Sequence, residues 1–62
     1  ILKREEREVE TPFGQALVKQ VTFSDTVRNY PEYESVKALA EENEASFHEV
    51  FEAVHKAAEE LD

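Results

Sequence analysis

The only glycine of the chain lies in the segment Thr11-Pro12-Phe13-Gly14, between two runs of residues that suit β-strands. Proline fixes φ near the value needed at the second position of a β-turn, and glycine adopts the φ that closes such a turn. Residues 16–23 after it are rich in Val, Leu, Phe and Thr at near-alternate positions. The segment therefore predicts a β-hairpin, with residues 2–10 as the first strand.

A hairpin alone is not stable in water, so this one needs further packing. Ser24-Asp25 has the composition of a second tight turn, and residues 26–28 are predicted to follow it as a short edge strand. Across the first turn, Val9 would lie beside apolar residues of the second strand. The outer face would carry a lattice of opposite charges. Alternation places four side chains on one face of the second strand: Leu17, Lys19, Val21 and Phe23.

A first helix is predicted at residues 31–42. Pro31 suits the first helical position, and Glu32 and Glu34 favour the positive end of the helix dipole. Asn43 is expected to end the helix in the left-handed conformation. The apolar residues of this helix fit a period of about 3.6; they are Tyr33, Val36, Leu39 and Ala40.

A second helix is predicted to begin at Ser46, because Ser46 and Glu49 have the Ser-x-x-Glu spacing of a capping box. Its apolar residues follow the spacing of an amphipathic helix, with glutamates on the other face. The apolar residues are Phe47, Val50, Phe51, Val54, Ala58 and Leu61. The sequence thus predicts an α+β fold, in which a β-hairpin and a short third strand precede two amphipathic helices.

Size and composition limit what such a chain does. A chain of 62 residues forms one domain at most, and a domain so small is marginally stable. The absence of Cys excludes disulfides, thiolate metal sites and a Cys nucleophile. Packing or association must therefore stabilise it, and we expect a homo-oligomer. Since the chain also lacks Met, we interpret residues 1–62 as a single module from a longer protein.

Charge is divided unequally along the chain. Residues 1–30 carry five basic and five acidic side chains, whereas residues 31–62 carry two basic and ten acidic, so the net charge of −8 arises in the second half. Such an acidic half argues against nucleic-acid binding, which depends on Lys and Arg. No apolar run reaches the roughly 18 residues of a membrane span, and the charged start is no signal peptide. We expect a cytoplasmic protein without membrane contact.

Few residues suggest chemistry. His48, Glu52 and His55 share one side of the second helix, but the two histidines are ~10 Å apart at 1.5 Å per residue, so one ion cannot bridge both. The simpler interpretation is that these three side chains are exposed to water and bind no metal. Tyr30 and Tyr33 flank a helix start, where backbone N–H groups attract anions. Lys19 and Arg28 could approach the same region from the sheet, or Lys19 could simply charge an outer face.

Two segments of the chain have a characteristic order of motifs. The first runs from Arg4 through Thr11-Pro12-Phe13-Gly14 into Val18-Lys19, and the second is Tyr30-Pro31-Glu32-Tyr33-Glu34-Ser35-Val36 followed by Leu39-Ala40. Together they resemble the C-terminal end of the LarC family of nickel-insertion proteins. The resemblance covers essentially all of the chain. Two loops depart from the family pattern: Ser24-Asp25 stands where a Gly is expected, and Asn43-Glu44-Ala45 replaces a Gly-containing turn.

The resemblance implies a CTP-dependent nickel chelatase, a lyase that inserts nickel into the precursor of the lactate racemase pincer cofactor. In that family the C-terminal region is associated with the nucleotide and with Mn or Mg, and the nickel chemistry is expected elsewhere in the chain. Matched positions make Lys19 the candidate triphosphate contact. Thr11 and Tyr33 are further nucleotide candidates, and Glu32 is the metal candidate.

Two other functions remain open at this stage. The chain could be an oligomerisation module with no ligand of its own, or a metal-delivery helix that uses His48, Glu52 and His55. The chain contains no Ser-His-Asp arrangement, P-loop or dinucleotide fingerprint. We therefore expect the chain alone not to catalyse a reaction.

Overall fold

The computed structural model describes residues 2–61. It contains three strands and two helices: β1 (Leu2–Thr11), β2 (Gly14–Phe23), β3 (Thr26–Pro31), α1 (Tyr33–Asn43) and α2 (Phe47–Glu59). The strands form an antiparallel sheet in the order β1-β2-β3, so β2 is central and β1 and β3 are edges. The predicted α+β fold, with a hairpin and a third strand before two helices, is confirmed.

The first turn is closed by both its glycine and its threonine. Gly14 has φ +126°, a value that side-chain-bearing residues rarely adopt. The Thr11 hydroxyl donates to the Gly14 carbonyl at 2.7 Å and accepts from the Phe13 N–H at 3.1 Å. The Thr11 side chain is therefore a structural part of the hairpin.

One face of the sheet packs against both helices and forms the core. Side chains at alternate positions of β2 are buried together with Val9 of β1, and they meet the apolar stripes of α1 and α2. The buried apolar residues are Val9, Ala16, Val18, Val36, Leu39, Ala40, Val50, Val54 and Ala58. The other face of β2, with Leu17, Lys19, Val21 and Phe23, points away from the helices. We call this side of the sheet the outer face.

A polar chain of hydrogen bonds crosses the buried face. The Arg7 guanidinium donates to Gln20 Oε1 at 3.2 Å, and the Gln20 amide donates to Asn29 Oδ1 at 3.1 Å. The Asn29 amide in turn donates to the Ala58 carbonyl at 3.2 Å. Gln20 is buried, so its bonds offset the cost of removing a polar group from water. The network joins all three strands to α2.

The predicted start of the first helix is wrong by two residues, because Pro31 ends β3. Pro31 lies opposite Val18 in the sheet, and α1 begins at Tyr33 with Glu32 as its N-cap. Proline is tolerated here because an edge strand does not need every N–H for the sheet. The third strand consequently extends over residues 26–31, beyond the predicted 26–28. Prediction failed here because the pairing of β3 with β2 overrides the local helix signal.

The end of α1 also differs from its prediction. Asn43 is the last helical residue, and Glu44 adopts the left-handed conformation with φ 53°. The Asn43 amide donates to the Leu39 carbonyl at 2.8 Å and to the Phe13 carbonyl at 3.0 Å. Asn43 therefore ties the end of the helix to the hairpin turn. The left-handed backbone conformation falls on the next residue, Glu44.

The start of α2 agrees with its prediction. Ser46 Oγ accepts the Glu49 N–H at 3.0 Å, and the Glu49 carboxylate accepts the Ser46 N–H at 3.4 Å, which completes the capping box. Within residues 2–61, no helix is long and apolar enough to cross a membrane.

Candidate functional site

The outer face of the sheet brings together side chains from all three strands. Because directly opposed residues of antiparallel strands point to the same side, the pairing defines rows across this face. One row is Glu6, Lys19 and Tyr30, and the next is Arg4, Val21 and Arg28. These two adjacent rows form the centre of the candidate site.

Three cations lie close together on the outer face. Lys19 is the diagonal neighbour of both Arg4 and Arg28, which corresponds to roughly 7–8 Å between Cα atoms. All three side chains are exposed. In the part of the chain that the structure describes, none of the three has a carboxylate within 4.0 Å. They can therefore converge on an anion that has several oxygens, such as a phosphate chain.

Two carboxyl groups lie beside these cations. A hydrogen bond to Glu32 and the negative charge of Glu32 raise the pKa of Glu6, while the nearby Lys19 opposes that rise. Glu32 is held in place by its N–H, which donates to the Leu17 carbonyl at 3.0 Å. Two carboxylates in contact share a proton, or they can share a divalent cation, since oxygen is the ligand that Mg²⁺ and Mn²⁺ prefer.

Apolar side chains flank the charged rows. Tyr30 is 49% exposed, beside Lys19, and Leu17 and Phe23 lie on the same face at 37% and 38%. No helix in the described residues covers this face. An exposed tyrosine ring next to a cluster of cations provides a surface on which an aromatic base can stack.

The structure brings some of the predicted site residues together and separates others. Lys19 and Glu32 share the outer face, whereas Thr11 lies five residues along β1 from Glu6, the residue opposite Lys19. At about 3.4 Å per residue this separation is about 17 Å. Tyr33 packs its ring against Phe47, with centroids 5.1 Å apart, although it remains 61% exposed. Lys19 and Glu32 therefore lie together, whereas Thr11 is too distant from Lys19 to act on the same small group.

One of the two histidines of α2, His55, contacts residues of its own helix. His55 stacks on Phe51 at a centroid distance of 6.3 Å, and its Nδ1 lies 4.0 Å from the Glu59 carboxylate. Tyr33, Phe47, Phe51 and His55 form a continuous row of rings on the helical surface. Among residues 2–61, no three side chains of the His, Cys, Asp and Glu types are grouped so that they could hold a metal ion.

Sequence reasoning missed Glu6 and Arg4 as parts of this site. Both lie in the charged run of β1, where the sequence alone indicates only a solvated strand. The missing signal was the register of the hairpin, which places Glu6 opposite Lys19 and Arg4 opposite Val21. With the Thr11-to-Gly14 turn as the fixed point, counting back along both strands would have found these pairs.

Comparisons with known proteins place this chain in a family. The sequence model described as nickel insertion protein matches residues 1–51. The chain is similar to the pyridinium-3,5-bisthiocarboxylic acid mononucleotide nickel insertion protein of Clostridium acetobutylicum, with 42% identity over 57 residues and 90% of this chain covered. The protein of the same name from Lactiplantibacillus plantarum is 34% identical over 62 residues, which is 100% of this chain.

A solved structure gives the same result for the fold. The chain resembles the apo form of the C-terminal domain of a cyclometallase involved in the synthesis of the NPN cofactor of lactate racemase, with a TM-score of 0.90 and 32% identity. The match covers 97% of this chain and 42% of that domain. The chain spans only 14% of the Clostridium relative and 15% of the Lactiplantibacillus relative.

Proposed function

Because this chain belongs to the nickel insertion protein family, we propose that it is a C-terminal module of a protein that inserts nickel into a pyridinium bisthiocarboxylic acid mononucleotide. Nickel is the substrate metal of that reaction. The relatives support this role by their common name, and the solved C-terminal domain of a cyclometallase supports it because 97% of this chain matches 42% of that domain. Since the chain covers a small part of them, the nickel chemistry is assigned to other parts of the protein.

The contribution of this module is proposed to be the binding of CTP together with Mn²⁺ or Mg²⁺. One observation carries the proposal: three cations without a carboxylate partner within 4.0 Å lie beside a pair of contacting carboxyl groups on one open face. Mg²⁺ sites commonly consist of one or two protein carboxylates and the phosphates of a nucleotide. The outer face offers carboxyl groups for the metal ion and cations for the phosphates.

Each residue has a defined task in this proposal. Lys19, Arg4 and Arg28 bind phosphate oxygens through charge-assisted hydrogen bonds. Glu6 gives up the proton that its contact with Glu32 favours, and the two carboxylates hold the divalent cation. The ring of Tyr30, 49% exposed beside Lys19, stacks with the base. Thr11 and Tyr33, the other two nucleotide candidates of the sequence, are assigned here to the turn and to the aromatic contact with Phe47.

The charge of the chain favours binding of the triphosphate together with a divalent cation. The net charge is −8, and the acidic excess lies in residues 31–62. A triphosphate would be repelled by this field unless a cation reduced its charge. When bound, the divalent ion neutralises part of the triphosphate charge, and the cations of the outer face orient what remains.

Calorimetric titration with CTP and Mn²⁺ tests the proposal. We expect the unmodified chain to bind the two together and to bind CTP more weakly without the metal. Because each charge-assisted hydrogen bond is worth about 1.5–3 kcal/mol, Lys19→Ala should weaken binding roughly tenfold or more. Glu32→Gln should abolish the dependence on Mn²⁺ while the fold, followed by circular dichroism, persists.

Lys37→Ala is the matched control, since Lys37 is an exposed lysine on α1, away from the strands. Its CTP affinity should equal that of the unmodified chain. Absence of CTP binding by the unmodified chain would overturn the nucleotide role of this module. The module would then be better described as an association element without its own ligand.

A further inference from the structure

The backbone of Leu17 connects the sheet to the start of α1. Leu17 precedes Val18, which pairs with Pro31, the last residue of β3. Because β3 ends at this pair, Leu17 bonds to the helix. Its N–H donates to the hydroxyl of Ser35 at 2.9 Å, and its carbonyl accepts from the N–H of Glu32 at 3.0 Å. The first turn of α1 thus continues the hydrogen bonding of β3 with β2 by one further residue.

These contacts resemble a capping box that is shared between a helix and a strand. In an ordinary capping box, the side chain at the third helical position accepts the N–H of the N-cap residue. Glu32 is the N-cap of α1, and Ser35 is its third helical residue. The Glu32 N–H and the Ser35 hydroxyl both bond to the backbone of Leu17 and not to each other. The start of α1 is therefore anchored to β2.

This arrangement leaves the side chain of Glu32 available for other contacts. It makes no hydrogen bond that caps α1. At the start of α2, by contrast, the hydroxyl of the N-cap Ser46 accepts the Glu49 N–H. Short side chains are preferred at an N-cap because they reach such N–H groups. The longer side chain of Glu32 instead hydrogen-bonds with Glu6 on the outer face.

The contact between Glu6 and Glu32 depends closely on where α1 begins. Glu6 lies on β1 and Glu32 follows β3, so β2 lies between them. Since neighbouring strands are about 4.8 Å apart, the two backbones are separated by at least roughly 9–10 Å. Both side chains must therefore extend towards each other across β2. A small displacement of the first turn of α1 would separate the two carboxyl groups.

We propose that Ser35 is a positioning residue for the divalent-cation site, because its hydroxyl anchors the first turn of α1 to β2 and so holds the Glu32 carboxylate within reach of Glu6. The inference rests on the proposed function, in which these two carboxylates bind Mn²⁺ or Mg²⁺. Ser35 acts through Glu32 and does not bind the metal itself. Loss of a side chain that holds a metal ligand in place commonly lowers metal affinity by about 10–100-fold.

Calorimetric titration of CTP with and without Mn²⁺ tests this role. In Ser35→Ala the affinity for CTP without metal should be unchanged, because Lys19, Arg4 and Arg28 keep their places on the strands. The gain in CTP affinity that Mn²⁺ provides should fall roughly tenfold. Ser35→Thr keeps a hydroxyl at this position and should restore the gain. Circular dichroism verifies that each variant folds.

Ser46→Ala is the matched control for a purely stabilising role. It also removes a hydrogen bond at a helix start, but at α2, on the side of the sheet opposite to the outer face. Ser46→Ala should leave the CTP affinity unchanged both with and without Mn²⁺. An equal loss of the Mn²⁺ gain in Ser35→Ala and Ser46→Ala would overturn the inference, because general destabilisation would then explain both.

Amide hydrogen exchange, measured by NMR without ligand, separates this inference from the proposed function. Ser35→Ala should raise the exchange rate of the Glu32 N–H about tenfold, since the first turn of α1 would open more often. Ser46→Ala should leave this rate unchanged. An unchanged rate in Ser35→Ala would overturn the inference whether or not the chain binds CTP. A raised rate in a chain that binds neither CTP nor Mn²⁺ would overturn the proposed function and the metal role of Ser35, while the anchor itself would stand.

Discussion

The carboxyl group of Glu6 on β1 hydrogen-bonds with the carboxyl group of Glu32 at the N-cap of α1. The contact exists because the hairpin register places Glu6 opposite Lys19, while the end of β3 brings Glu32 to the same face. Two carboxyl groups in contact cannot both ionise without repulsion, so one retains its proton more strongly. This relationship makes the outer face the chemically distinctive surface of the molecule.

Removing the charge of Glu32 should lower the pKa of Glu6. The variant Glu32→Gln eliminates the carboxylate that raises the pKa of Glu6. The neighbouring Lys19, which lowers this pKa, remains in the variant. A pH titration of the Glu6 side-chain carbonyl by NMR measures the change. Glu49→Gln, on the capping box of α2, should leave the Glu6 titration as it is. An unchanged pKa in Glu32→Gln would contradict the assigned contact.

The contact between Glu6 and Glu32 also makes the free energy of unfolding depend on pH, in a direction that follows from the pKa of Glu6. Because the pKa of Glu6 is raised above its model value of 4.5 in the folded state, the folded chain binds this proton more tightly than the unfolded chain does. Stability from this group should therefore be fully present below pH 4.5 and be lost as the pH rises through the folded pKa. Urea unfolding at several pH values should show this loss, and Glu32→Gln should reduce it.

Breaking the polar network should destabilise the fold. Asn29→Ala removes the acceptor of the buried Gln20 amide and the donor to the Ala58 carbonyl. Since an unsatisfied buried polar group costs about 1–3 kcal/mol, the free energy of unfolding should fall by about that amount. Chemical denaturation measures it. Thr26→Ala, at an exposed position of the same strand, serves as the control, and an equal loss in both variants would contradict the role of the network.

Replacing the single glycine should strain the hairpin turn. Gly14 has φ +126°, and an added Cβ would lie 3.2 Å from Leu39 Cδ2. A backbone forced into such a conformation costs of order 1–3 kcal/mol, so Gly14→Ala should lower the free energy of unfolding by that amount. Thermal unfolding monitored by circular dichroism checks it, with the exposed neighbour variant Gln15→Ala expected to be near neutral. If the Gly14→Ala chain were as stable as the original, the turn would not require glycine at this position.

Loss of the capping box should weaken α2. Ser46→Ala removes the oxygen that accepts the Glu49 N–H at 3.0 Å, and such a change typically costs about 1 kcal/mol. The loss should appear as a lower denaturation midpoint with an unchanged slope. Glu52→Gln, on the same helix but outside the box, provides the comparison and should have little effect.

Local signals in the sequence predicted most of the elements. Pro12 and Gly14 specify a turn, Ser46 and Glu49 specify a helix start, and the spacing of Val50, Val54 and Ala58 specifies the buried side of α2. These features depend on neighbouring residues and on a regular period, so the sequence contains them without knowledge of the fold. The resemblance to a known family likewise followed from the order of such motifs.

Tertiary structure decided the features that depend on pairing between strands. Pro31 ends β3 and does not begin α1, because its place opposite Val18 outweighs the preference of proline for a helix start. Asn43 leaves the left-handed position to Glu44, since its amide bonds to the distant Phe13 carbonyl. Local preferences of this kind are small, and a few long-range contacts reverse them.

The sequence by itself determined the α+β fold, the two helical faces and the acidic second half, because each follows from residue type and local spacing. Its local signals named Lys19, Arg28 and Glu32 but, without the register of the strands, did not join them to Glu6 and Arg4. Only the register of the sheet placed these charges on one face. The physical reason is that strand side chains alternate between faces, so the pairing of distant segments decides which residues meet.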